Sequence, residues 1–402
     1  MDDSFSSTST AAWGSLLFQP QQPLRLLTSD EKSQMNPALV DPVEYRKSGL
    51  SLNHVVGCPL DCSYCVRHLF QNFDMKQPRL LMDDDEAVEY LVRHRYFQPH
   101  VTPLQLFNRA TDPFLPSVKP HTFSVAESLN RKGLTNHLLI ITRYKVTKED
   151  CDRLNQIRNL KITLLITYSG IADKRVEPID SEIAAESIKL SFAAAKSYRT
   201  IFYWRPVVPL LNDSDEHLAR AVELSHHAHA TVFTGLFYRN EMAAFFRERG
   251  IPEPYNDVAR RKIMPKTLDD RIVSAFRQAK RLGILFRKTS CGVAFAHGLP
   301  DYNGHYGIRE LCDICPANQL ELCRKAWVKP EFQKVVNMAR ELGATSDPEV
   351  GEGAILTDGL NEPPRYYIQH TLGYQVHDRK YPHIVFRHGR ANIGWETESP
   401  ST

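Results

Sequence analysis

The stretch Cys58-Pro59-Leu60-Asp61-Cys62-Ser63-Tyr64-Cys65 decides how this chain reads. It spaces three cysteines as C-x3-C-x2-C, directly after an apolar run at 50–56 that predicts a strand. Cysteine thiolates hold iron–sulfur clusters, and a [4Fe–4S] cube asks for four protein ligands. Three thiolates on one tight loop hold three irons and leave the fourth open to a substrate or cofactor. Catalytic zinc also takes three protein ligands, but three cysteines on one short loop are unusual there.

Five more cysteines lie further along. Cys291, Cys312, Cys315 and Cys323 form C-x20-C-x2-C-x7-C, and Cys151 stands alone on a predicted helix as an ordinary thiol. The first 30 residues lack the basic start and apolar core of a secretory signal, so the expected compartment is the reducing cytoplasm. Clustered cysteines there read as metal or redox sites rather than disulfides. The 402 residues are 42% hydrophobic and 24% charged, which excludes a disordered chain, a coiled coil and a disulfide miniprotein. Fifty basic against 47 acidic residues leave a net charge of +3, so global charge does not argue for a nucleic-acid or membrane partner. No apolar run reaches membrane-spanning length, and no membrane partner is expected.

Around the motif, short apolar runs alternate with amphipathic stretches. The runs at 50–56, 104–107, 137–142, 162–168, 200–204, 231–238 and 284–287 predict strands. Helices are predicted after Asp83-Asp84-Asp85, after the capping box at Thr147-Lys148-Glu149-Asp150, and over 181–198, 214–229 and 269–282. Strand-then-helix order implies parallel strands with helical crossovers. The expected fold is α/β: a partial, open (βα)6 barrel over 48–285, too short in pattern for a full eight-unit barrel. An N-terminal extension is expected over 1–47 and a four-cysteine metal-binding region over 286–330. A small α+β region is expected over 331–402, with a helix at 330–342 and strands at 366–376 and 383–387.

The first motif resembles that of the radical S-adenosylmethionine superfamily in its spacing, in Tyr64 before the third cysteine and in its place after the first strand. Thr111-Asp112-Pro113, Thr142-Arg143, Thr167-Tyr168-Ser169 and Arg205-Pro206-Val207-Val208-Pro209 at successive strand ends resemble the spore photoproduct lyase-like branch, also described as DNA-repair-photolyase-like, over about residues 50–245. The resemblance implies a [4Fe–4S] cluster on Cys58, Cys62 and Cys65, and S-adenosylmethionine as cofactor. Reductive cleavage of that cofactor, fed by an electron donor such as flavodoxin or ferredoxin, gives a 5′-deoxyadenosyl radical that takes hydrogen from the substrate. Thr111 and Asp112 would sit near the methionyl amino group and Arg143 near the methionyl end. Thr167 or Ser169 would reach the carboxylate or ribose, Tyr64 would pack beside the adenine, and Arg205 is a further candidate ligand. Members of the branch that repair DNA dimers carry a cysteine just before the Thr/Ser-Asp-Pro element. Here the neighbourhood reads Asn108-Arg109-Ala110, so the resemblance supports the cofactor chemistry and not dimer repair. No catalytic hydrogen donor is assigned.

Four cysteines with an internal C-x2-C complete one metal site, either an auxiliary [4Fe–4S] cluster or a structural zinc. Between them, the stretch from His297 to His305 reads as a turn-rich loop or as the lining of a substrate pocket. Arg379, Lys380, Arg387 and Arg390, interleaved with His377, His383 and His388, form a basic C-terminal stretch with the composition of a phosphate-contacting face. Three functions compete. One is a lyase-like radical enzyme acting on a nucleobase, nucleotide or nucleic acid. The second is radical modification of a peptide or small molecule with an auxiliary cluster. The third is a non-enzymatic, metal-stabilised nucleic-acid-binding protein.

Overall fold

The computed structural model describes residues 23–255 and 262–380. β1 (Val43–Arg46) turns back onto β2 (Gly49–Leu52), and β3 (Val55–Val56) pairs with β4 (Arg79–Leu80) on either side of the cysteine loop. From β2 the main sheet continues through β5 (Leu104–Leu106), β6 (His137–Thr142), β7 (Lys161–Tyr168), β8 (Arg199–Val207) and β9 (Ala230–Phe237), each parallel to its neighbour. β10 (Lys262–Ile263) and β11 (Leu285–Phe286) both pair with β9, the first antiparallel and the second parallel. Six parallel strands therefore precede residue 250, and the sheet stays open among the described residues.

Helices Asp84–Val92, Lys119–Arg131, Lys148–Gln156, Ser181–Ala194 and Asp215–Ser225 make the crossovers. Their starts follow the predicted caps. Asp83 accepts from the Glu86 amide at 2.8 Å, and Thr147 and Asp150 form a reciprocal capping box. Alternation along the strands sorts two faces. Leu138, Ile140, Ile162, Leu164, Phe202 and Trp204 pack outward under the crossover helices. Leu139, Leu165, Ile201, Tyr203 and Val232 face inward and meet Phe286 and Val293. The inward face is covered by helix Thr289–Ala296, which carries Cys291. Its Gly292 lies so near β9 that an added Cβ would sit 2.5 Å from Val232 Cγ2. The four-cysteine region is thus packed onto the barrel wall.

Two expectations are corrected. The chain over 1–47 is not wholly an extension, because β1 belongs to the main sheet and its hairpin partner β2 begins at Gly49. The strand expected at 366–376 is helix Glu362–Leu372 followed by β14 (Val376–Asp378). Pro363 and Pro364 suit a helix start, and Gly373, at φ +59, ends it. Together with helix Phe332–Glu341, β12 (Glu349–Val350) and β13 (Ile355–Thr357), it builds a small core around Val335, Ile355, Ile368 and Val376. The strand expected at 383–387 lies outside the described residues, as do Arg387 and Arg390. Of the basic stretch, Arg379 is paired with Asp358 and His377 is buried.

Helix Glu362–Leu372 docks on β1 through His370. Its Nδ1 lies 2.8 Å from the Tyr45 hydroxyl, and its Nε2 lies 2.7 Å from Asn303 Oδ1 and 3.1 Å from the Lys47 carbonyl. Two acceptors at Nε2 place the proton there and leave Nδ1 to accept from Tyr45. Burial lowers His370 from its ordinary 6.5 to about 4 and His137 to about 3. Below pH 6.5 the unfolded chain takes up these protons first. The stability from neutral burial is therefore complete above 6.5 and is lost as pH falls toward 4, by roughly 3 kcal/mol for His370. Urea midpoints measured from pH 7 to 4 should fall over that window, and the fall should be shallower in His370→Gln.

Candidate functional site

The cysteine loop is shaped before any ligand arrives. Gly57 has φ +98, and a Cβ there would meet the Gln77 carbonyl at 2.5 Å, so the turn into Cys58 needs glycine. The Cys58 amide donates to Met75 O at 2.9 Å and the Gly57 amide to Ala110 O at 3.2 Å, tying the loop to the end of β5. Buried Arg67 staples it further, with Nη2 2.8 Å from Leu60 O and Nη1 near the carbonyls of Asn72, Phe73 and Met75. The sequence reading missed Arg67, which lies two residues past Cys65 in a 3-10 turn.

A cavity of about 640 Å³ opens at the C-terminal ends of the parallel strands. Cys58, Cys62 and Cys65 all line it, with Tyr64, Thr111, Asp112, Arg143, Thr167 and Arg205 of the predicted set. Ser169 does not. It is buried one strand-end residue too far, where its hydroxyl accepts from the Ile171 amide at 3.1 Å and lies 3.4 Å from Ser181 Oγ. The Thr111 hydroxyl is buried without a partner, as is that of Thr234, a cavity residue within β9 that the sequence reading did not single out.

Asp112 faces inward structurally. Its Oδ1 accepts from the Thr142 hydroxyl at 2.6 Å and the Phe114 amide at 2.9 Å, and its Oδ2 from the Arg143 amide at 2.9 Å. The carboxylate locks the ends of β5 and β6 together. Burial pushes its carboxyl up from the ordinary value, and these hydrogen bonds oppose the rise. Arg205 lies over the Tyr203 ring at 4.9 Å.

Arg143 is occupied. Its guanidinium pairs with Glu177, contacts the Tyr64 hydroxyl and covers the Tyr64 ring at 5.2 Å. Glu177 also accepts from Tyr64, and its Oε1 lies 3.5 Å from Cys62 Sγ. This carboxylate, 3% exposed, is the main residue that sequence reasoning missed. It sits 115 residues from Cys62 in the loop after β7, and the one signal for it is that strand ends carry sites in parallel sheets. Burial raises the Cys58 thiol to about 11 and pushes Cys62 well above its ordinary value, with Arg143 opposing the shift at Cys62.

Cys291, Cys312, Cys315 and Cys323 line one narrow second cavity of about 20 Å³, with Asp301 and His305. Cys323 Sγ accepts from the Asp301 amide at 3.4 Å and from Gln319 Nε2 at 3.3 Å. Burial raises the Cys315 thiol to about 12. The loop from His297 to His305 lies below the N-terminal ends of β6 and β7, with His297 Nε2 3.0 Å from Thr163 Oγ1 and Tyr302 5.0 Å from His137. It therefore does not line the large cavity, which corrects the substrate-pocket reading. Cys151 is buried in helix Lys148–Gln156, away from both groups. A further trio, buried His54 with half-buried Asp84 and His121, fastens two crossover helices to the residue before β3. His54 Nε2 and His121 Nδ1 lie 2.8 and 2.9 Å from Asp84 Oδ1.

No protein-family model and no curated protein matches this chain. Among solved structures, a tyrosine-to-phenylalanine variant of spore photoproduct lyase is similar at 14% identity, over 60% of this chain and 77% of that one, with a TM-score of 0.46. A spore photoproduct lyase double variant with bound AdoMet and dinucleoside spore photoproduct is similar at 14% identity over 59% and 76%, with a TM-score of 0.45. SuiB of Streptococcus suis bound to S-adenosylmethionine is similar at 10% identity over 64% and 54%, with a TM-score of 0.41.

The Arg143–Glu177 pair yields a stability prediction. Removing one partner strands a buried charge, which costs about 3–5 kcal/mol, while removing both costs much less. Arg143→Met and Glu177→Gln should each lower the urea midpoint strongly, and the double variant should recover a large part of the loss. Additive losses would show that the two groups do not act as a pair.

Proposed function

We propose that this protein is a radical S-adenosylmethionine enzyme. Its Cys58, Cys62 and Cys65 would hold an open-site [4Fe–4S] cluster, and the large cavity would receive the cofactor. The observation that carries the reading is the convergence of all three thiols of one loop on a cavity at the strand ends, where partnerless hydroxyls also lie. The donor set fits the group: three thiols free of disulfides on a preformed loop. When bound, the pair of cluster and cofactor supplies a 5′-deoxyadenosyl radical for hydrogen abstraction.

The chain's own residues supply position and charge. The Thr111 and Thr234 hydroxyls are free to hydrogen-bond the cofactor. Thr167 offers another strand-end hydroxyl, and Arg205 a cation. Asp112 serves by fixing the loop that presents Thr111. Arg143 and Glu177 hold the Tyr64 hydroxyl, which leaves that ring a fixed wall beside which an adenine can pack. Arg46, Lys47, Arg109 and Lys288 also line the cavity, against Asp112 and Asp269 as its lining carboxylates and Glu44 behind Arg46 and Arg109. A lining of that sign favours a substrate that carries carboxylate or phosphate, which supports the nucleotide or nucleic-acid reading. An external one-electron donor completes the scheme.

The second cysteine group is proposed to hold an auxiliary cluster. A tetrahedral zinc site with Zn–S of about 2.3 Å draws its sulfurs to within about 4 Å of one another. The metal-sized group in this cavity, with all ligand atoms within 4.8 Å, is Cys291, Asp301 and His305, which holds one of the four cysteines. A first cysteine group with cluster spacing in the same chain favours a cluster over a single ion here.

Three outcomes test the scheme. Cys62→Ala should abolish reductive cleavage of S-adenosylmethionine, measured as 5′-deoxyadenosine under strong reductant; normal production would refute the assignment. Thr111→Ala should weaken cofactor binding roughly tenfold to hundredfold while the cluster absorbance stays intact. Anaerobic wild-type protein should contain about eight irons, falling to about four in Cys312→Ala/Cys315→Ala.

A further inference from the structure

The second cysteine cavity contains more than cysteines. Cys291 Sγ, an Asp301 carboxylate oxygen and a His305 ring nitrogen lie within 4.8 Å of one another. Cys312, Cys315 and Cys323 line the same cavity. Asp301 Oδ2 accepts from the His305 backbone amide at 2.9 Å and lies 3.0 Å from His305 Nδ1. A carboxylate can only accept from a neutral ring here, so Nδ1 carries the hydrogen and Nε2 carries the lone pair. That Nε2 is buried with no protein partner, in a residue 3% exposed.

We propose that His305 Nε2 takes one of the four ligand positions of the metal centre in the second cysteine group, with three of the four cysteines in the others, which makes that centre a mixed thiolate–imidazole site. The proposal rests on the reading that this group holds a metal. A histidine whose outer N–H is donated to a carboxylate is how proteins orient an imidazole toward a metal and raise its basicity. Asp301 is the positioning residue, four positions before the ligand.

The loop between them is held from the far side. Asn303 Oδ1 receives Gln369 Nε2 at 3.0 Å and His370 Nε2 at 2.7 Å. Gly304, at φ +69, lies where a Cβ would meet the Gly373 carbonyl at 2.3 Å. Such a loop cannot turn His305 outward to satisfy Nε2 with water. A metal satisfies it in place. Sequence spacing concealed this ligand, because His305 falls between the first and second cysteines without a motif.

The test uses full-length protein purified anaerobically with 15N-labelled histidine, in a Cys58→Ala/Cys62→Ala/Cys65→Ala background that silences the first cluster. Metals and sulfide are counted first. If iron is found, pulsed paramagnetic resonance of the reduced centre should show a directly bound histidine nitrogen that is lost in His305→Ala. If zinc is found, X-ray absorption at the zinc edge should show nitrogen beside sulfur, again lost in His305→Ala. Asp301→Asn should keep the nitrogen and weaken metal retention against a chelator about tenfold to hundredfold. With iron bound, His305→Cys should lower the midpoint potential, since thiolate replaces neutral imidazole.

All-sulfur coordination in protein with unchanged His305 overturns the proposal, as does a second site that holds no metal. The spectrum of that protein decides even where a His305 variant does not fold. S-adenosylmethionine cleavage by the wild type reports separately on the first site, so the two readings fail independently.

Discussion

A parallel sheet with helices on its outer side has an inner face that must also leave water, and covering that face governs this structure. Helix Thr289–Ala296 provides the cover, brought against β9 by Gly292. The apolar contact of Phe286 and Val293 with Leu165, Ile201 and Val232 is a hydrophobic requirement met by a segment that also carries Cys291. The second cysteine group is therefore seated within the barrel wall. Because the plug fills the lower part of the face, the large cavity is left at the strand ends, where Cys58, Cys62 and Cys65 open onto it.

The electrostatics of that cavity follow from which of its lining cations are paired. Arg143 is neutralised by Glu177, and Arg287 by Asp269 and Asp313. Arg46 and Arg109 both lie near Glu44. The Arg143–Glu177 pair stands beside Cys62 and couples the first cysteine loop to the ends of β6 and β7. A thiol pushed upward by burial is eased toward thiolate by that guanidinium, while the carboxylate opposes it. The local charge around the motif is set by residues that are remote in sequence.

Local signals served well where one interaction range decided the outcome. The strand at 137–142 matched its predicted bounds, and the caps at Asp83 and Thr147 formed as hydrogen-bond chemistry requires. They failed at 366–376, where Pro363, Pro364 and Gly373 bound a helix. Ser169 shows a finer failure. It shares a strand face with Thr167, but the chain leaves β7 after Tyr168 and turns its hydroxyl into the loop backbone.

The sequence by itself determined the two cysteine groups, the strand–helix alternation and most of the strand-end residues that meet at the cavity. Each depends on spacing along one segment. Only the tertiary structure decided that Glu177 stands against Cys62, that Arg67 staples the cysteine loop, and that His305 lines the cavity of the second group. It also decided that the loop from His297 to His305 lies under the sheet instead of at its mouth. Those placements come from packing between segments tens to hundreds of residues apart. Burial leaves a polar atom to find whichever partner the fold brings near, and no local pattern records that partner.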